Sequence, residues 1–246
     1  MGIAQHPLHL GFLAWFALIP LFYKLNTSYS WRNILIIGIV WGYTYHFSTI
    51  FWLAFNIGTS RPIAFISMIT SITILTVNSI IILSIWYIIK KRFKTNSLWI
   101  LPFIWTFIEY WRSYGTLGFP WVSIANTQIE YLTLIQNSEY VGIYGISFWI
   151  VVMNVTFFKL IKRRNSKYQI LTTLLFILPW VTGMMIFPEI KKSGEDGISI
   201  ALVQPNIDLN QKWYGNVSDN LNHLIKLSTS EIGKDVNLII WPESAI

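Results

Sequence analysis

The stretch PIAFISMITSITILTVNSIIILSIWYII, residues 62–89, decides what kind of molecule this is. It holds no charged residue and no glycine. A helix needs about 20 apolar residues to cross a hydrocarbon layer of about 30 Å. This run is long enough to cross with tilt. Backbone groups in lipid must be satisfied within the segment, so it reads as a helix. Outward from it lie five further apolar runs: 33–55 and a shorter 9–23 before it, then 98–111, 142–160 and 169–187. One apolar helix can be the core of a soluble domain. Six in one chain read as a polytopic α-helical membrane bundle over residues 1–187.

Composition agrees. The 246 residues are 54% hydrophobic and 12% charged, with mean hydropathy +0.51. Soluble domains carry about 25% charge, so a soluble enzyme and a disordered chain are both excluded. Thirteen Trp and 17% aromatic residues suit interfacial anchoring. There is no cysteine, which excludes disulfides and a thiol nucleophile within these residues. No metal-ligand spacing and no phosphate-cradling glycine loop is present, so neither metal nor cofactor is expected. The net charge of +7 does not imply nucleic acid, because the basic residues cluster between apolar runs.

Those basic residues set an expected orientation. Lys24 and Arg32 lie in the first loop, Lys90, Lys91, Arg92 and Lys94 in the third, and Lys162, Arg163, Arg164 and Lys167 in the fifth. The second loop has only Arg61, and the fourth, 113–141, has no Lys or Arg. Positive loops stay in the cytoplasm, so residues 188–246 are expected outside it. The same count puts Met1 outside, without a basic signal region. The two readings are a short untethered tail and a missing upstream helix.

Charge changes class near residue 188. Residues 1–187 carry 13 Lys and Arg against 3 acids, and residues 188–246 carry 5 against 8. The tail begins with a β-type run at 197–204. Ser218 is placed to cap a helix with Leu221, Leu224, Ile225 and Ile232 at helical spacing. A second strand, 236–241, is apolar throughout, as in a sheet covered on both faces. Strand, helix, strand is one βαβ unit, too small to bury a stable core alone. Glu243 follows the second strand, where active groups of open α/β sheets gather. Its bland reading is a solvated loop acid.

Polar residues within the apolar runs need partners. His46 reads as hydrogen-bonded to a neighbouring helix. Glu109 and Arg112, three apart on one helix face, read first as a structural ion pair and second as a lipid head-group site. After them, Gly115, Gly118 and Pro120 break the helix. Phe119 and Trp121 are then either anchors in an interfacial belt or the lining of a re-entrant segment at a cavity.

Several of these stretches together resemble one family, the apolipoprotein N-acyltransferases. They are LGFLAWFALIPL at 10–21, Glu109-Tyr110-Trp111-Arg112, Gly118-Phe119-Pro120-Trp121 and Tyr140-Val141-Gly142-Ile143-Tyr144-Gly145. In the tail they are Val203-Gln204-Pro205-Asn206-Ile207, Lys212-Trp213 and Trp241-Pro242-Glu243-Ser244-Ala245. The resemblance implies that residues 188–246 open an extracytoplasmic nitrilase-like (α-β-β-α) domain. It implies a bacterial inner-membrane enzyme. Such an enzyme moves an acyl chain from a phospholipid donor to the N-terminal amine of a diacylglyceryl-modified lipoprotein acceptor, without a cofactor. It implies a Glu-Lys-Cys catalytic set in which Glu243 is the base. The Lys and Cys of that set have no counterpart here, so the chain is expected to be truncated at both ends and inactive alone. Trp213, Phe119 and Trp121 are the expected substrate-binding residues. The competing reading is a non-catalytic membrane scaffold or transporter-like remnant.

Overall fold

A computed structural model describes residues 1–5, 7–27, 30–93, 98–115, 118–187, 198–207, 215–230 and 236–243. The chain divides into two compact units. One comprises Met1–Ala54 with Phe65–Pro188, the other Phe55–Ala64 with Glu189–Ile246.

Among the described residues, four helical stretches are long and apolar enough to cross a membrane. They are α2 (Trp31–Ile50) with its 3-10 continuation to Phe55, α3 (Arg61–Phe93), α6 (Ser138–Arg163) and α7 (Ser166–Ile186). Ser30 caps α2 by accepting the Asn33 N–H at 3.2 Å. Lys90, Lys91 and Arg92 fill the last turn of α3, where cations complement the helix dipole. Gly42 of α2 lies against α3. A Cβ there would meet Thr76 Cγ2 at 2.7 Å, so the small residue permits the close approach. In α6 the backbone breaks helical geometry at Gly142, whose φ of 64° is open to glycine.

The first and fourth expected spans differ from the sequence reading. Residues 9–23 do not form one helix. A 3-10 turn at Gly11–Trp15 is followed by α1 (Ile19–Thr27), with Pro20 in the first turn of α1. The gap between them is held by Asn154 of α6. Its Oδ1 accepts the Leu18 N–H at 2.7 Å, and its Nδ2 donates to Ala14 O at 2.7 Å and Ile150 O at 2.9 Å. A distant side chain thus takes over backbone partners that a continuous helix would supply. The fourth is a 3-10 turn at Leu98–Ile100 leading into α4 (Leu101–Arg112), shorter than a full span.

The main core joins α1, α3, α4 and α6 through Phe22, Leu25, Trp86, Leu101, Ile150 and Val155, all essentially inaccessible. Pro179 inside α7 cannot donate to Leu175 O, and the Trp149 indole N–H takes that carbonyl at 2.8 Å. Beside it, the four-residue α5 (Leu132–Ile135) leads to Asn137, which donates to Pro179 O at 2.7 Å.

In the second unit, β1 (Ile200–Leu202) and β2 (Leu238–Ile240) pair in parallel, with Ala201 opposite Ile239. Between them in the chain lies α8 (Val217–Ser230). Asn216, not Ser218, provides the cap, its Oδ1 accepting the Ser218 N–H at 3.0 Å. Leu224 is fully buried. Ile232 and the charge boundary near 188 lie outside the described residues. The expectation of a strand covered on both faces is not met. Leu238, Ile239 and Ile240 are 48%, 42% and 43% exposed; among the described residues of this unit, α8 is the one whole helix available to cover the strand pair.

Candidate functional site

Two places carry candidate site residues. The first is the irregular segment after α4. Its backbone has few helical bonds, so its polar groups must be met by side chains. The Tyr45 hydroxyl of α2 donates to Val122 O at 2.8 Å. Gln5 Nε2 donates to Ser123 O at 3.1 Å and to the Tyr45 hydroxyl at 3.0 Å. Asn126 Nδ2 donates to Trp121 O at 2.7 Å. The Ala125 N–H reaches Ser147 Oγ of α6 at 3.2 Å.

Glu109 of α4 completes this set. It is 3% exposed, and its carboxyl oxygens accept from four donors. These are the Ile124 N–H at 2.9 Å, Ser123 Oγ at 2.7 Å, Ser147 Oγ at 2.5 Å and Trp105 Nε1 at 3.3 Å. The expected ion pair with Arg112 does not form among the described residues. Instead Arg112 Nε and Nη2 are buried without a hydrogen-bond partner. The physical reason is competition. Main-chain and hydroxyl donors delivered by the loop and by α6 satisfy the carboxyl group, and they need no long side chain to be ordered. His46 is buried on α2 and faces the backbone of Leu75 on the neighbouring α3, the contact expected of it, although neither ring nitrogen reaches strict hydrogen-bond geometry.

The loop so held presents Phe119 and Trp121 to each other edge to face, with centroids 5.5 Å apart. Phe119 packs on the cluster of Ile50, Met68, Ile72, Leu75 and Val122. Trp121 is 65% exposed and lies 6.3 Å from the ring of Trp52. Trp121, but not Phe119, lines a cavity of about 250 Å³ with Gln5, Thr49, Trp52, Asn126 and Ile129. The segment thus keeps its backbone polar groups satisfied beside this cavity. Ser123, Ser147, Tyr45 and Gln5 were not singled out from sequence. Ser147, a small polar residue within an apolar run, was the one available signal of a helix contact.

The second place is the end of β2. Trp241 Nε1 donates to Ser228 Oγ of α8 at 2.8 Å, fixing where the strand exits. Glu243 follows in a turn and is exposed. Trp213 and Ser244 lie outside the described residues. Of the four expected site residues, the described structure therefore brings together Phe119 and Trp121. No group of His, Cys, Asp and Glu among the described residues is arranged to hold a metal.

Comparison with known proteins decides the relationship. Residues 1–156 match the family described as the apolipoprotein N-acyltransferase N-terminal domain. The chain belongs to the apolipoprotein N-acyltransferase family. Apolipoprotein N-acyltransferase of Chlorobaculum tepidum is 28% identical over 97% of this chain and 45% of its own length. That of Geobacter metallireducens is 28% identical over 95% of this chain and 47% of its own length. That of Haemophilus influenzae is 33% identical over 63% of this chain. The chain thus spans less than half the length of the first two N-acyltransferases.

Proposed function

We propose that this chain supplies the membrane part and the opening of the catalytic layer of a lipoprotein N-acyltransferase. The observation that carries the reading is the match of residues 1–156 to the family, extended through the tail by relatives that bear that name. The acyl donor is a phospholipid, and the acceptor is the N-terminal amine of a diacylglyceryl-cysteine. A cysteine thiol gives its proton to a base and attacks the donor ester. A thioester forms and the lysophospholipid alcohol leaves. The lipoprotein amine then attacks the thioester, giving an amide and returning the thiol. Glu243 is the base that moves these protons, and a lysine stabilises the tetrahedral oxyanion.

The β1–α8–β2 arrangement is the opening of the nitrilase-like layer. The exposed apolar faces of β1 and β2 support this, since such strands are stable when more sheet and helix cover them. Residues 1–246 contain no cysteine, so by themselves they carry no thioester and complete no transfer. In this reading Phe119 and Trp121 bind lipid substrate, and Trp213 has the same role by the family resemblance alone. The protein lies in a bacterial inner membrane with residues 188–246 on the periplasmic side, a placement that the basic loops support.

The test is complementation of lipoprotein N-acylation by this chain joined to the Lys- and Cys-bearing part of a relative. Rescue is expected, and Glu243→Gln is expected to lower it about 100-fold or more. Undiminished rescue by the variant would remove Glu243 from the chemistry. Absence of rescue with both parts present in the membrane would favour the scaffold reading. Orientation is read separately by an impermeant maleimide on the cysteine-free chain. In intact spheroplasts, Asn220→Cys labels and Asn165→Cys does not.

A further inference from the structure

The long helix α3 carries one amide side chain where hydrocarbon supplies no partner. Asn78 lies 12 residues before Lys90 and 17 after Arg61, about 18 and 26 Å along the helix. That is inside the uncharged run 62–89. Among the described residues the Asn78 side chain has no hydrogen-bond partner, and it is only half-buried. An amide left unpaired in an apolar medium is costly.

Asn78 borders a cavity of about 480 Å³ with Ile74, Val77 and Ile81 of α3 and with Trp111 and Tyr114 around the end of α4. Arg112 borders it too, but its Nε and Nη2 are buried within the protein. The cavity opens on the outside of the bundle, where Ile74, Val77, Trp111 and Tyr114 are exposed. Met68, Ile72, Leu75, Ile82 and Trp86 tie the other side of α3 into the two apolar cores. Along the outward side, Ser67, Ser71, Ile74, Asn78, Ile81 and Ile85 recur at alternating steps of four and three. Each is exposed or half-buried. That spacing is the seam by which one helix meets another at a shallow crossing angle. The two serines permit close approach, and a single asparagine in such a seam fixes register.

The kind of partner follows from the charges on this face. The run has no formal charge, so two copies of it do not repel. The amide carries both partial charges, donors on Nδ2 and an acceptor at Oδ1. Two copies inserted the same way in one membrane are related by a two-fold axis along its normal. A seam residue then meets its own copy at its own depth. Asn78 against Asn78 gives each donor an acceptor, which an apolar helix cannot do.

We propose that α3 is the contact of a homodimer in the membrane. The Asn78 amides of two copies hydrogen-bond across the seam, and apolar side chains of each copy enter the cavity of the other. The surface concerns residues 67–85 of the membrane unit and rests neither on Glu243 nor on acyl transfer.

The experiment uses the full chain in phosphatidylcholine vesicles, labelled through Asn165→Cys with a donor fluorophore on half the molecules and an acceptor on the rest. Energy transfer is followed as lipid dilutes the protein. Transfer above chance proximity is expected for the otherwise wild-type chain. Asn78→Leu is expected to raise the dissociation constant about tenfold, in line with loss of a hydrogen bond between helices. Asn78→Gln, which keeps the amide, is expected to lie closer to wild type. In the unlabelled cysteine-free chain, Ile74→Cys and Ile81→Cys are expected to form disulfide dimers with copper phenanthroline. Ile69→Cys, exposed on another side of α3, is expected not to. Transfer no higher than chance, or Asn78→Leu dimerising as tightly as wild type, would overturn the proposal. So would Ile69→Cys cross-linking as well as Ile74→Cys. If Asn78→Leu does not fold, the three cysteine variants, which keep Asn78, decide. Because the readout is self-association, failure here leaves the acyltransferase reading untouched, and the reverse also holds.

Discussion

Two glutamates stand in opposite settings. Glu109, in the membrane unit, is 3% exposed and accepts from four donors. Glu243, after β2 in the other unit, is exposed in a turn. A buried carboxyl group with its lone pairs filled is a clamp for the backbone it touches, with nothing left to take a proton from a substrate. An exposed carboxyl group at the carboxyl end of a parallel strand is free to do so. The same side chain is thus architecture in one unit and a candidate for chemistry in the other, and the neighbours make the difference.

That contrast can be broken by substitution. The largest effect is expected for Glu109→Ala. It strands the Ile124 N–H and two serine hydroxyls in a buried site, costing about 3 kcal/mol or more. Thermal unfolding in detergent should show a large fall in the midpoint, or no folded protein at all. A midpoint like that of the wild type would end the claim that Glu109 clamps the loop. Next comes Asn154→Ala, which leaves the Leu18 N–H and Ala14 C=O unpaired at a cost of about 2 kcal/mol. Faster amide exchange confined to residues 14–19 would sharpen the view that irregular membrane backbone depends on remote side chains. Ser147→Ala removes one donor to Glu109 and the acceptor of the Ala125 N–H. About 1 kcal/mol is expected, with Glu109 still held by its other three donors. A cost equal to that of Glu109→Ala would mean that Ser147 and not the carboxyl group organises the site. The smallest effect on stability is expected for Glu243→Gln, within about 0.5 kcal/mol. A marked drop in its unfolding midpoint would show Glu243 to be structural too and erase the contrast.

The sequence located much of this and misjudged some of it. The runs around 33–55, 62–89, 142–160 and 169–187 are long helices because apolar composition over 20 or more residues leaves the backbone no other way to satisfy itself in lipid. Residues 9–23 are as apolar, yet they are broken. The break depends on Asn154, whose position opposite Leu18 is set by packing across more than a hundred residues. The Glu109–Arg112 spacing suggested a pair, but spacing along one helix says only which groups could meet. Donors from two other segments reached the carboxyl group first. Both faces of β2 were expected to be covered from its apolar run, and they are exposed, because covering is a property of what packs on a strand.

What the sequence by itself determined is the class of molecule. Six apolar runs, the basic loops between them and the change of charge near residue 188 follow from composition, and composition acts locally on each segment. It also determined the family, through motifs spread from residue 10 to residue 245. The tertiary structure alone decided which polar groups are spent and which are left over. Glu109 is consumed by the loop it holds, Arg112 is left with buried donors beside an apolar cavity, and Phe119 and Trp121 meet edge to face. Hydrogen bonds and close contacts depend on distances between remote segments, and those distances exist only once the helices have packed.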